Sequence, residues 1–423
     1  MFPTTHWLEF QRDALIDWVS RAQVPAGFGF LDDKGLIMPE LGSNLWITAR
    51  FTHVMACEVI RGNSDAASML DHGVVSLLDT FQDPSGGWYN TLEITSTPHN
   101  PQPLGTQVRE GFAHAYIALA AASALKAQHP RAKELFDRVQ ALLADRFIDP
   151  DTGLLYVSKS WDWSTTDSYY STGPSLHLVE SSLAAFDATG DKAYLERALR
   201  VGEFVLPLVK QCKFHVPEHL NSDWEYDDSY HRDCPKDPAR PWGAQVGHGC
   251  EWARLLLQTA IMAHRHGLID PYSPSHAHWF EYSFQLFRNS VTEGWDNGFA
   301  FTTDFDGNQI LVDRHWWTLT EALCAAHAFS SFAKDYADSS VVQSAQEYFD
   351  ELPALAQHWW AWADAYHIAA PGQWHHELDP HNEPIHVAWQ GKPEPYHSYQ
   401  ALVYPLSHDY ALSFAGGSAP TTL

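Results

Sequence analysis

The chain has 423 residues, of which 45% are hydrophobic and 18% charged, with 18 Trp, 17 Tyr and 22 Phe. This is the composition of a compact, aromatic-rich globule and excludes a disordered or fibrous chain. A formal net charge of -26, with no Lys/Arg cluster to offset it, argues against nucleic acid or an anionic membrane surface as partner.

The N-terminal stretch MFPTTHWLEFQRDALIDW carries acidic residues inside its apolar pattern and lacks the basic start and apolar run of a signal peptide. No later stretch reaches the length of a transmembrane span. Apolar residues recur at helical spacing and predict twelve helices, over about 5–22, 44–62, 65–82, 108–127, 130–147, 174–189, 192–210, 248–267, 275–292, 316–333, 340–363 and 397–413. Cys57, Cys212, Cys234, Cys250 and Cys324 are scattered, odd in number and without CxxC spacing. That pattern argues against a disulfide framework or a structural zinc site and points to a reducing, cytoplasmic setting.

The helices differ in character. GFAHAYIALAAASAL and WWTLTEALCAAHAFSSF are almost free of charge, as in helices buried on most sides. PRAKELFDRVQALLADRF and DKAYLERALRVGEFVL carry charges along one face and belong outside. An alternation of outer amphipathic and inner apolar helices, six times over, predicts an all-α fold, an (α/α)6 barrel. An open solenoid would show a regular repeat and self-similarity, and neither is visible. The long connections, over about 83–107, 148–173, 211–247, 293–315 and 364–396, are rich in Trp, Tyr, His, Gly and Pro, and long loops of this kind are usually functional. Within them GGWYNTL, GLLYVSKSW and GFAFTTDFDGNQILV read as short β-hairpins decorating one mouth of the ring. No linker is apparent, so residues 1–423 read as a single catalytic domain, the alternative being a helical domain with a small β-rich insert.

Motif scanning excludes more than it finds. GHGCEW lacks the preceding strand that a dinucleotide fingerprint needs, and no Walker loop, nucleophile elbow or HExxH is present. The acidic stretch SDWEYDDSYHRD, with Asp223, Asp227, Asp228 and Asp233, matches no calcium-loop template and reads as a turn-forming loop, so no metal and no cofactor are expected.

The stretch VGHGCEWARLLLQ sets His248 between two glycines, at a flexible helix mouth. There the positive dipole end disfavours the imidazolium and helps to keep the ring neutral. Glu251, three residues on, shares the helix face and is placed to orient the ring. In GKPEPYHSYQALVYPL, His397 also opens a helix. Two helix-start histidines facing one pocket suit proton transfer at carbon, one group taking a proton while the other manages oxygen. Polar residues in apolar helices, Arg50 in NLWITAR, His177 in GPSLHLVESSL and Glu321 in WWTLTEAL, describe a polar centre within an apolar ring. Trp46, Trp242, Trp317 and Trp374 offer flat faces for a sugar, with Arg50 and Arg240 for its oxygens.

Taken together, VPAGFGFLDDKG, LWITAR, GGWY, GHGCEWARLLL, WWTLTEAL, ELD and WQGKPEPYHS make the whole chain resemble the N-acylglucosamine 2-epimerase superfamily, in its aldose–ketose isomerase branch. The resemblance implies an (α/α)6 barrel that needs no metal and moves a proton at C2 of a free sugar. It implies His248 and His397 as the acid/base pair with Glu251 beside them. It also implies Arg50, His177, Arg240, Glu251, Trp317 and Glu321 as lining the sugar pocket, and Trp46, Phe112, Trp374 and His376 complete the expected substrate-binding set. Phe112 stands where the sulfoquinovose-acting relatives would have tyrosine, and STGPSLH lacks an asparagine before His177, which favours a neutral hexose. The expected partner is a small free sugar, bound by a monomer or small homo-oligomer, with D-mannose turned into D-fructose through a cis-enediol. Sugar 2-epimerisation, sulfoquinovose isomerisation, glycoside hydrolysis or elimination, and non-catalytic sugar binding are the alternatives.

Overall fold

The structure, a computed structural model, describes residues 2–237, 240–392 and 394–412. Among these residues thirteen α-helices follow one another: α1 Thr5–Val19, α2 Leu45–Ile60, α3 Ala67–Val75, α4 Gly111–Lys126, α5 Ala132–Leu142, α6 Gly173–Thr189, α7 Lys192–Gln211, α8 Val246–Arg265, α9 His278–Gly294, α10 Trp316–Asp335, α11 Ser340–Ser344, α12 Gln346–Trp362 and α13 Tyr396–Val403. Every expected helix has a counterpart, and the one over 340–363 is divided into α11 and α12. The last is shorter than its apolar pattern predicts. It gives way to a 3-10 turn at Tyr404–Leu406, because Pro405 supplies no N–H and disfavours helical geometry in the residue before it. Residue 413 of the expected range lies outside the described residues.

The chain divides into two compact units. The α2–α6 unit comprises Leu15–Ala198, Gln390–Tyr396 and Leu412–Leu423, and the α8–α12 unit comprises Met1–Ala14, Leu199–Trp389 and His397–Ala411. Three of the five divisions fall inside α1, inside α7 and after the first residue of α13, and the other two follow Trp389 and Ala411, outside the helices.

Within the α2–α6 unit, α2 packs on α4 and α4 on α6, while α3 lies against α2 and α5 against α4. The sequence explains the layering. Helix α4, GFAHAYIALAAASALK, is buried over nearly its whole length, whereas α5, AKELFDRVQAL, buries Leu135, Phe136 and Val139 and turns its charges outward. In the α8–α12 unit α8 packs on α10, with α9 against α8 and α12 against α10.

Short strands lead into the inner helices. Ser43–Asn44 runs into α2, Val108–Glu110 into α4, Ala244–Gln245 into α8 and Arg314–His315 into α10. Their partners are Thr91–Leu92, Ser158–Ser160, Thr302–Thr303 and Glu377–Leu378, all antiparallel. Of the three expected hairpins, GFAFTTDFDGNQILV forms one, Thr302–Thr303 against Gln309–Leu311. GGWYNTL and GLLYVSKSW each supply one arm of a short antiparallel bridge with the adjoining chain, Trp88 with Gln82 and Lys159 with Thr166. Each pairs with the strand ahead of an inner helix, which anchors the loop where a lone two- or three-residue hairpin would not hold. Among the described residues no helix is long and apolar enough to cross a membrane.

Candidate active site

In the α8–α12 unit, the strand Ala244–Gln245 delivers the chain into α8 so that His248 sits in its first turn. The two flanking glycines act through closeness. A Cβ on Gly247 would lie 2.2 Å from the Trp317 ring, and one on Gly249 would lie 2.1 Å from Ser290 Oγ of α9. Glycine at 247 therefore admits the Trp317 indole beside His248, and glycine at 249 lets α9 approach. The expected flexible helix mouth is instead a tight one.

Trp317 neighbours both candidate histidines. Its ring is 5.2 Å from that of His248 and 5.8 Å from that of His397. Each imidazole meets a carboxylate through Nδ1. His248 Nδ1 donates to Glu218, at 2.9 Å from Oε1 and 3.1 Å from Oε2, and His397 Nδ1 donates to Glu321 Oε1 at 2.9 Å. A carboxylate accepts, so the Nδ1–H tautomer is the one this arrangement favours, and Nε2 becomes the basic nitrogen of each neutral ring.

Glu218 corrects the expectation that Glu251 orients His248. Helical side chains lean toward the N-terminus, so a ring in the first turn reaches past the helix end to the Val216–Leu220 segment. Glu251, a turn further in, stays buried within α8. Nothing in the helical periodicity marks VPEHL as its source of a carboxylate. As a positioning residue Glu218 carries a prediction. Glu218→Ala lowers kcat by about 10- to 100-fold, the size of loss seen when a carboxylate orienting a metal-bound histidine is removed, with KM nearly unchanged, while Glu218→Gln recovers part of the loss. Steady-state kinetics on the two variants measures both.

Glu321 is fully buried and also accepts from Arg254 Nη2 at 2.9 Å. Burial alone would raise its pKa, but the Arg254 guanidinium and the His397 N–H hold it well below the usual carboxylate range. It is therefore an anion fixed behind His397, and its role is to orient that ring. Arg254 in turn donates to Gln258 Oε1 at 3.3 Å. Its position, three residues after Glu251 in an apolar helix, was a readable signal of a buried ion pair. His376 stacks on Trp316 at 3.9 Å, and the Trp316 ring stands edge-on to His397 at 6.0 Å.

The α2–α6 unit gathers a second polar set. Arg50 of α2 donates to Glu394 Oε1 at 3.3 Å and to the Tyr116 hydroxyl, with its guanidinium 5.0 Å from the Trp46 ring and 4.8 Å from that of Tyr396. Burial disfavours this charge, but Tyr116, Glu394 and Tyr396 keep it protonated. His177 of α6 meets the Tyr116 hydroxyl through Nε2 at 3.2 Å, and Phe112 lies 6.5 Å from Trp46 and 6.3 Å from Tyr116. Arg50, Trp46, Phe112 and His177 thus come together around Tyr116. Tyr116 itself was missed, although it follows Phe112 by four residues on one helix face. Glu394 stood in the KPEPYHS motif without a helical or turn signal.

Beside Phe112, Glu110 leads into α4 with its pKa pushed up to about 7 by burial, against a lowering hydrogen bond from Asn90. A folded pKa above the unfolded value means stability that is complete below about pH 4.5 and lost as pH rises through 7. Glu110→Gln removes that loss. Chemical denaturation gives equal stability for the two proteins at low pH and a gain of roughly 2 kcal/mol for the variant at alkaline pH, after discounting for partial exposure.

The sequence profile of N-acylglucosamine 2-epimerase (GlcNAc 2-epimerase) matches residues 27–401. The chain belongs to the N-acylglucosamine 2-epimerase family. It is 35% identical to the D-mannose isomerase of Thermobifida fusca, over 98% of this chain and 96% of the relative. It is 32% identical to that of Pseudomonas cannabina pv. alisalensis, with the same coverage. A crystal structure of D-mannose isomerase shares its fold with a TM-score of 0.81 at 23% identity, over 96% of this chain and 98% of that one.

Two further expected substrate residues of this N-acylglucosamine 2-epimerase family member belong to the α8–α12 unit. Trp374 is buried against Trp360 and His367, at 6.4 and 6.5 Å. Arg240 is half-buried in the 221–243 loop, where its Nη1 donates to the Tyr230 hydroxyl at 3.3 Å. In the same loop Asp227 Oδ1 accepts from the backbone and hydroxyl of Ser229 at 3.0 and 2.6 Å, a turn-forming role.

Proposed function

We propose that the protein is an aldose–ketose isomerase that converts D-mannose to D-fructose by moving a proton between C2 and C1. The observation that carries this reading is that His248 and His397 both neighbour the Trp317 ring, each with Nδ1 held by a carboxylate. Two imidazoles presenting Nε2 supply, in their neutral form, one base for carbon and one for oxygen. His397 Nε2 takes the C2 proton, and the anionic Glu321 behind it stabilises the imidazolium that forms. The electron pair of the C2–H bond enters a cis-enediol as the carbonyl oxygen at C1 is protonated. His397 then returns its proton to C1 while the O2–H proton leaves, giving the ketose. His248, oriented by Glu218, opens the pyranose and shuttles the proton between O2 and O1. The Trp317 indole offers the apolar face for the C–H side of the sugar.

On the same reading Arg50 and His177 bind sugar hydroxyls. The Arg50 charge is already met by Glu394, which suits a neutral hexose better than a sulfonated one. D-Mannose isomerases at 35% and 32% identity support that choice. Five thiols, four of them buried, suit a reducing cytoplasm.

The test is D-mannose in deuterated water followed by NMR. Isomerisation gives fructose. Glucose as the only product would assign the same two rings to opposite faces of C2 in a 2-epimerase, and no product would remove the reading.

A further inference from the structure

The C-terminal half of α10 carries a polar stripe far from Trp317. His327, Ser330, Ser331 and Lys334 recur at helical spacing on one face, and across a cavity of ≈ 310 Å³ they meet Gln357 of α12. Among the described residues none of these five side chains has a hydrogen bond or ion pair within the protein. The rest of the wall is apolar, with Leu8, Leu323, Pro353 and Trp360. His327 lies ten residues beyond Trp317, about 15 Å along the helix, so the cavity is distinct from the site of the two histidines.

Its charge is out of keeping with the molecule. The chain has 52 Asp and Glu against 26 Lys and Arg, yet none of the sixteen residues around this cavity is acidic, and two, His327 and Lys334, are basic. Burial first, and then Lys334, lower the His327 pKa to about 4, so His327 offers a neutral imidazole and Lys334 carries the charge. The negative end of the helix accounts for Lys334 in the last turn, but that influence fades within a turn and does not reach His327. One lysine cation, a neutral imidazole able to donate, and three hydroxyl or amide groups, all edging an apolar floor, are what the head group of an anion with a hydrocarbon body would meet.

We infer that this cavity between α10, α12 and the start of α1 is a second binding site, separate from the sugar site, for a small amphipathic anion. The anion's carboxylate or phosphate lies against His327, Ser330, Ser331 and Lys334, and its hydrocarbon part lies on Leu8, Leu323 and Trp360. A volume at the small end of the roughly 300–1,000 Å³ range of ligand pockets limits the occupant to a short chain or a single ring.

Titration calorimetry with sodium octanoate, n-octyl phosphate and 1-octanol tests this. At least one of the two anions binds saturably at one site and 1-octanol binds at least tenfold more weakly, and the preferred anion identifies the head group. Lys334→Met and His327→Asn each weaken that binding at least tenfold and leave sugar turnover unchanged. Absence of saturable binding by both anions up to about 1 mM, the edge of useful affinity, overturns the inference. So does affinity unaltered in both variants, or 1-octanol binding as tightly as the anions.

Discussion

Replacing His397 with asparagine lowers kcat for D-mannose by at least about 10³-fold, within the range contributed by general acid–base catalysis, and leaves the fold intact. The fold survives because the asparagine amide retains an N–H that can meet Glu321, whose other partner, Arg254, is untouched. Activity is lost because an amide cannot accept the C2 proton. Steady-state kinetics and thermal unfolding, measured on the same preparation, separate the two effects, with Tm moving by no more than about 3 °C. Near-parental kcat in this variant would remove His397 from the mechanism.

The largest loss of stability falls on Arg254. It is 1% exposed and Glu321 is not exposed at all, so Arg254→Met leaves a carboxylate buried without its cation. Breaking a buried pair in this way costs about 3–5 kcal/mol, read from urea denaturation at neutral pH. Adding Glu321→Gln to the same chain removes the stranded charge and recovers most of the stability, since the pair is coupled. Activity does not return, because His397 then lacks the anion that stabilises its protonated form. The pH dependence follows from the depressed pKa of Glu321. A depressed folded pKa contributes stability that is complete above the ordinary carboxylate value and is lost as pH falls below it. The gap between parent and Arg254→Met is therefore widest near neutrality and narrows in acid.

Helix type and layering were legible because they rest on periodicity, which depends on residue type alone. The charge-free pattern of α4 and the one-sided pattern of α5 each sufficed to place them inside and outside. Repetition was harder to see, because it lies in geometry and not in residue identity. The strands before α2, α4, α8 and α10 share no motif. Helices α3, α5 and α12 each end in a π-turn, at Ser76–Thr80, Leu143–Phe147 and Ala363–His367, without a common sequence.

In the site, His248 and His397 were readable as titratable rings at helix starts. Glu321 was readable as a carboxylate within an apolar helix, although its place behind His397 was not. Glu218 and Glu394 lie on irregular segments whose course is set by tertiary contacts, so spacing could not connect Glu218 to His248 or Glu394 to Arg50. Glu251 shows the converse. Its spacing to His248 was right for a shared helix face, but the lean of helical side chains gave the ring to a different acid. The glycines at 247 and 249 were read as flexibility, when what they provide is room for Trp317 and for α9.

A crystal structure with D-mannitol, an open-chain hexitol that has no carbonyl to turn over, would bear on the proton-transfer pair most directly. The expected density places C1 and C2 over the Trp317 indole, with Nε2 of His397 toward the carbons and Nε2 of His248 toward an attached hydroxyl. Hexitol bound with both imidazoles out of reach of C1 and C2 would contradict the mechanism.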